Sequence, residues 1–434
     1  MGSYEVLPIG NKIKNLRKKY SLNQEQLAGN DITRNLISQI ENGKANLTQN
    51  AAKIMLKNLK KICHNKNIKV NENIDYLMES EVSQANKIID RYIEGLTDLS
   101  IYKDGTFEHK LSEAEEFLAS WDIRNKKIFI FDIAGDYYCS ANDFYNSAIY
   151  YEKAKALIDT TTCKENLISI LRKLSMVYYY IGKYEEDIKN CDFALNHFTN
   201  MSKKYYCIFT FNSALCYFKL KEYNKTLYGC KKIEKAIKKI DTKKYYEVLL
   251  QEAICLVELN EYERSLKILI NLADNIDKDD TSNYVTILIN LAENYLHMDN
   301  MVKTKETLNI INANINNLNQ DSKCLSEIYL NLGELYAKLH NTTKAEELYS
   351  KALTYAKKFN CDCLIEDILS KLMDIYISSK DNRKVSKIKD EYFMISSREE
   401  KIIVPLERKL IEFYLGTENV QALKELYNLN KKLS

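Results

Sequence analysis

The chain has 434 residues, only 2 Pro and 11 Gly, 45% hydrophobic residues and a formal net charge of +3. It lacks the turn residues that a β-sandwich, a doubly wound dinucleotide-binding sheet or a collagen-like chain requires. With 13 Phe and 32 Tyr to fill a core it is not a disordered chain, and no apolar run reaches the roughly 18 residues of a membrane span. The expected fold class is all-α.

The opening segment MGSYEVLPIG has neither a basic n-region nor an apolar h-region, so no signal peptide is expected. Val6 stands where a myristoylation signal requires Ser or Thr. The eleven cysteines are scattered. Cys361 and Cys363 are two apart, and only Cys63–His64 brings a histidine beside a thiol. Core thiols in a reducing cytosol are expected, with no disulfide framework, metal site or cofactor. Residues 1–70 hold thirteen Lys/Arg against four acids, a net of +9, which leaves 50 bases and 56 acids for 71–434, a net of −6. Such a head either meets a polyanion or carries a solvated Lys-rich surface.

Ile9, Ile13 and Leu16 recur at helical spacing and predict a first helix over 9–19, with Lys12, Lys14, Lys18 and Lys19 on its other faces. Asn23 and Gln26 form a capping box that opens a short second helix. Gly29-Asn30-Asp31 is turn chemistry. Thr33 caps a third helix, Arg34 to Glu41, which ends at Asn42-Gly43. Leu36, Ile37 and Ile40 form its buried side, and Arg34, Asn35, Ser38 and Gln39 point elsewhere. Two short helices joined by a tight turn in a basic segment form a DNA-reading unit.

The run IGNKIKNLRKKYSLNQEQLA…TRNLISQIENGKANLT resembles the Cro/CI (Xre-type) helix-turn-helix over about forty residues. The resemblance implies that Arg34, Asn35, Ser38 and Gln39 face base edges in the major groove of double-stranded operator DNA, where Arg pairs with guanine and Asn or Gln with adenine. Ser38 also fits a second role, clearance at the groove. Gln24, Thr33 and Lys44 would contact phosphate. Arg17 and Glu41 match a pair that forms a structural salt bridge in that family.

From about residue 128 the chain repeats. Small and aromatic residues recur at tetratricopeptide positions, from Gly135, Tyr138, Ser147 and Tyr151, through Ser175, Tyr178, Cys191 and Ala214, to Gly333, Tyr336, Ala345 and Tyr349. Repeat starts fall near 128, 168, 207, 246, 285, 326, 366 and 404, a period near 39. Small residues such as Gly135 and Gly333 would let two helices approach while a Tyr ring fills the space beside them. Residues 81–121, with helices around Ser83–Leu96 and Leu111–Trp121, form a degenerate first pair. The expected organisation is a helix-turn-helix domain over 1–63, a linker over 64–80, and a right-handed superhelix of about nine helix pairs over 81–434.

The first helix of each repeat should line a concave groove that binds a peptide. Its sixth position reads Lys173, Asn212, Gln251, Asn290, Asn331 and Lys371. Four consecutive amides match the donors and acceptors of an extended peptide backbone, and the flanking lysines match a carboxylate. The alternative is that Asn, abundant in this chain, simply occupies exposed helix positions.

A helix-turn-helix head on a long tetratricopeptide body resembles the RRNPP family (Rgg, Rap, NprR, PlcR and PrgX) of peptide-responsive regulators, and its length fits the NprR-like or RstA-like members. The resemblance implies a cytoplasmic, homodimeric quorum-sensing transcription factor that binds a short signalling peptide and controls sporulation or virulence (toxin) genes. A second reading, from the Rap and NprR branches, adds a response regulator as partner, with Gln84 as the amide that would position water at an aspartyl phosphate. A third is a helical scaffold with no peptide ligand. No phosphate loop, nucleophile set or metal-ligand spacing marks an enzyme.

Overall fold

The computed structural model describes residues 4–102, 105–159, 164–359, 361–399 and 401–433. Residues 1–3, on which the signal-peptide expectation bears, and the side chain of Cys363 lie outside the described residues. The described residues form helices and no strand. The head comprises α1 (Ile9–Lys19), α2 (Gln24–Ala28), α3 (Arg34–Glu41), α4 (Gln49–Asn65) and α5 (Ile74–Met78). Its caps follow the sequence. The Gln26 N–H donates to Asn23 Oδ1 at 2.8 Å and the Asn23 N–H to Gln26 Oε1 at 2.9 Å. Thr33 Oγ1 accepts the Leu36 N–H at 3.2 Å. Ile13, Leu27, Ile37, Met55 and Leu59 are fully buried in one core. Asn58 of α4 donates to the Leu27 and Ala28 carbonyls, satisfying the C-terminus of α2.

The segment 64–80, expected to be a linker, is corrected in part. Its helix α5 packs into the head core, with Leu77 fully buried and Val70, Ile74 and Met78 against the same cluster. Only five helical residues carry this contact, too few for helical periodicity to register in the sequence.

Nine helix pairs follow among the described residues. They are α6 (Glu81–Tyr102) with α7 (Phe107–Ser120), α8 (Arg124–Ser140) with α9 (Phe144–Leu157), and α10 (Lys164–Tyr180) with α11 (Tyr184–His197). Next come α12 (Lys203–Lys219) with α13 (Tyr223–Ile240), α14 (Thr242–Glu258) with α15 (Tyr262–Asn275), and α16 (Thr281–His297) with α17 (Met301–Asn314). The last are α18 (Leu325–Lys338) with α19 (Thr342–Lys358), α20 (Asp362–Ser378) with α21 (Asn382–Glu399), and α22 (Val404–Gly416) with α23 (Val420–Leu433). The first pair is longer than the sequence pattern predicts.

From the second pair on, the same turn joins the two helices. Asn142, Gly182, Lys221, Asn260, Asp299, His340, Lys380 and Glu418 each stand in the left-handed region, with φ between 51° and 75°. The next N–H reaches back five residues, for example from Asp143 to the Tyr138 carbonyl at 2.9 Å and from Asn419 to Tyr414 at 2.9 Å. This closure satisfies the last carbonyls of each first helix. A Cβ at Gly333 would lie 2.6 Å from the Tyr349 ring, and one at Gly135 2.3 Å from Tyr151, so close helix approach explains both glycines. Contacts divide the chain into two compact units, Met1–Tyr137 with Ile149–Ile158, and Tyr138–Ala148 with Asp159–Ser434. Among the described residues no helix is long and apolar enough to cross a membrane.

Candidate functional site

Two sets of residues carry the functional reading, one in each compact unit. In the head, α3 buries Ile37 and Ile40 and turns Arg34, Asn35 and Gln39 to solvent, with Ser38 half-buried beside them. A helix anchored on one face and polar on the other presents a fixed row of donors and acceptors at major-groove width. Thr33 and Lys44 are exposed at its two ends. The Thr33 oxygen already caps α3, which leaves its hydroxyl proton for a phosphate oxygen.

Below this face lies the Arg17–Glu41 pair. Arg17 Nε donates to Glu41 Oε1 at 2.6 Å and a terminal nitrogen donates to Oε2 at 2.9 Å, while its other terminal nitrogen donates to the Leu22 carbonyl. Burial pushes the Glu41 carboxyl up, but its bonds to Arg17 and Gln24 outweigh this and hold it below the usual carboxylate range. Gln24 is half-buried and its amide donates to Glu41 Oε2 at 2.9 Å, so it joins the brace.

Lys12, which lies off the apolar face of α1 in the sequence pattern, is buried all the same. It is 1% exposed, donates to the Tyr76 and Glu79 carbonyls at 3.1 Å each and pairs with the Glu79 carboxylate at 3.5 Å. The burial cost of this ammonium is offset by partners more than sixty residues away in sequence. Gln84 is likewise occupied. Its Oε1 accepts the Leu7 N–H at 3.1 Å and its Nε2 donates to the Leu7 carbonyl at 3.0 Å. A 9% exposed amide held on both sides by backbone is not available to position a water.

In the second unit, Lys173, Asn212, Gln251, Asn290, Asn331 and Lys371 are all half-buried on consecutive first helices. Three of the amides turn their NH2 group inward. Asn212 donates to Ser175 Oγ at 2.9 Å, Gln251 to Cys255 Sγ at 3.7 Å and Asn290 to the Thr286 carbonyl at 2.9 Å. The carbonyl oxygens remain as acceptors. Lys371 pairs with Glu334 at 2.6 Å, so the expected carboxylate holder already has a carboxylate.

Asn212 lines a cavity of ≈ 350 Å³ between α10, α12, α13 and α14. Its walls are apolar, including Met176, Phe211, Leu215, Ile233 and Val248, and Arg172 and Lys244 stand on the lining. A mostly apolar concavity with few polar groups suits an apolar side chain next to a hydrogen-bonding or anionic group.

Behind Asn212 sits a cluster that the sequence reading missed. Asp187 is fully buried; Cys191 Sγ donates to its Oδ1 at 3.4 Å and Cys216 Sγ to its Oδ2 at 3.1 Å. Burial pushes the Asp187 carboxyl up to about 6, against the lowering effect of Ser175 and the two thiols. The repeat register carried a signal. One and two periods further on, Thr226 and Ser265 occupy the Asp187 position, where their hydroxyls donate to the Ala214 and Ala253 carbonyls of the paired helix. An acid in a position for small hydroxyls marks a local departure.

These features define a helix-turn-helix head followed by a tetratricopeptide-type array of helix pairs. Residues 13–61 match the helix-turn-helix family HTH_3. The chain has the fold of the quorum sensor NprR from B. thuringiensis in its apo form, at 12% identity over 88% of this chain and 99% of that one, with a TM-score of 0.51. It also aligns with a Rap protein complexed with competence and sporulation factor, at 14% identity over 98% of both chains, with a TM-score of 0.48. A tetratricopeptide repeat protein from Parabacteroides merdae aligns at 16% identity over 65% of this chain and 98% of its own, also with a TM-score of 0.48. No curated protein matches the sequence. The likeness to NprR is one of fold and covers 99% of that chain.

Proposed function

We propose that the protein is a peptide-responsive transcriptional regulator that reads operator DNA through α3 and binds a short signalling peptide along the first-helix face of its array. The observation that carries the reading is α3 itself, a recognition helix whose apolar side is buried and whose Arg34, Asn35 and Gln39 stand exposed in register. The amide row and the cavity beside Asn212 support the peptide half. Helix-turn-helix heads read paired half-sites, so the working form in this reading is a homodimer in the cytoplasm.

The test is selection of tight duplexes from a random DNA pool with the full chain, followed by anisotropy titration. Arg34→Ala should cost about 1–3 kcal/mol on the selected duplex and little on random DNA. Lys44→Ala should weaken both alike and reduce the salt slope by about one. Equal losses on both DNAs for Arg34→Ala would remove it from the base-reading set.

A further inference from the structure

We propose that Asp187 fixes which end of the Asn212 amide faces the cavity, acting through a relay of hydrogen bonds over Cys191 and Ser175. The inference deepens the peptide reading and rests on it, because Asn212 belongs to the amide row. The relay runs Asn212 Nδ2 to Ser175 Oγ at 2.9 Å, Ser175 Oγ to Cys191 Sγ at 3.4 Å, and Cys191 Sγ to Asp187 Oδ1 at 3.4 Å.

An ionised carboxylate only accepts hydrogen bonds, so Cys191 must spend its proton on Asp187. Its sulfur is then the acceptor for the Ser175 hydroxyl, and the Ser175 oxygen is the acceptor for the Asn212 NH2. Every donor along the chain points toward Asp187. Asn212 therefore turns its carbonyl oxygen toward the cavity, where it accepts a backbone N–H of a bound peptide. A neutral Asp187 can donate, and the direction of the relay is then no longer enforced.

The groups facing Asp187 are Ser175 from α10, Cys191 from its own helix α11 and Cys216 from α12. Burial raises both thiols, so they stay protonated at neutral pH. Asp187 is thus a positioning residue and the one member of the cluster that changes charge near neutrality.

The orientation is read without a ligand. In the full chain labelled with 15N-asparagine, the Asn212 side-chain signal is assigned by its loss in Asn212→Ala. It should shift between pH 7.5 and 5 with a midpoint near 6. Asp187→Thr places there the residue that the next repeat carries and should fold; in it, as in Cys191→Ala, the signal should stay flat. Cys191→Ser keeps a donor in the relay and should restore the shift. A flat wild-type signal, or one that moves equally in Asp187→Thr, overturns the assignment.

The second measurement uses heptapeptides selected from a random display library on the full chain at pH 7.5. By calorimetry their affinity should fall at least about fivefold at pH 5.0 for the wild type and less than twofold for Asp187→Thr. An equal fall in both overturns the coupling to binding. A library that yields no binder while the Asn212 signal titrates overturns the peptide reading and upholds the relay.

Discussion

The head and the repeat array both bury polar groups, but they satisfy them differently. In the head, Lys12, Glu41 and Gln84 each have full-strength partners, two of them charged and the third a backbone amide on both sides. In the array, the hydrogen bonds on Asp187 come from two thiols, which are weak donors for a carboxylate. A saturated group locks a structure, whereas an under-solvated one stays close to changing state. The difference assigns rigidity to the helix-turn-helix head and responsiveness to the array around the cavity.

The largest effect should follow from breaking the head brace. Glu41→Ala leaves Arg17 without its carboxylate and should cost about 3–5 kcal/mol. Hydrogen exchange would show lost protection over residues 9–78 and little change beyond residue 200. Protection lost uniformly along the chain would contradict the division of roles.

Acidification should then separate the regions by sign. Glu41, Glu72 and Glu79 are held below the usual carboxylate range, so their stabilising contributions are lost as pH falls through their folded values. Asp187 works in the opposite direction. Its folded value of about 6 lies above the unfolded 3.8, so the native state binds the extra proton and gains stability as pH falls across that window, by about 3 kcal/mol at most. Exchange corrected for intrinsic rates should show α10–α12 tightening between pH 6.5 and about 4.5, and α1–α3 loosening only below about pH 4.5. Parallel behaviour of the two regions would remove the contrast.

The smallest of these effects concerns packing alone. Gly333→Val forces a branched side chain against the Tyr349 ring and should cost about 1–3 kcal/mol in urea unfolding. Asn212→Ala, on an accessible face, should leave stability within about 0.5 kcal/mol.

The same contrast explains what the sequence made legible. The recognition helix, its caps and the nine-pair array depend on residues three to five apart or on a fixed period, and local pattern reveals these. The period near 39 in the sequence reappears in the spacing of the left-handed turns from Asn142 to Glu418. Lys12 and Gln84 escaped pattern reading because partners 64 to 77 residues away decide their roles. Asp187 was invisible to motif reading because its environment comes from three helices, and only its mismatch with Thr226 and Ser265 hinted at it.

The turns themselves have a mechanical consequence. Only Gly182 among the eight left-handed turn residues lacks a Cβ; the other seven hold that conformation at a steric cost that glycine would not carry. Each junction between paired helices is therefore an independently adjustable stiffness. Evolution can soften or tighten the array one junction at a time, and so alter how far a local change propagates, while the exposed face of α3 and the cavity lining stay as they are.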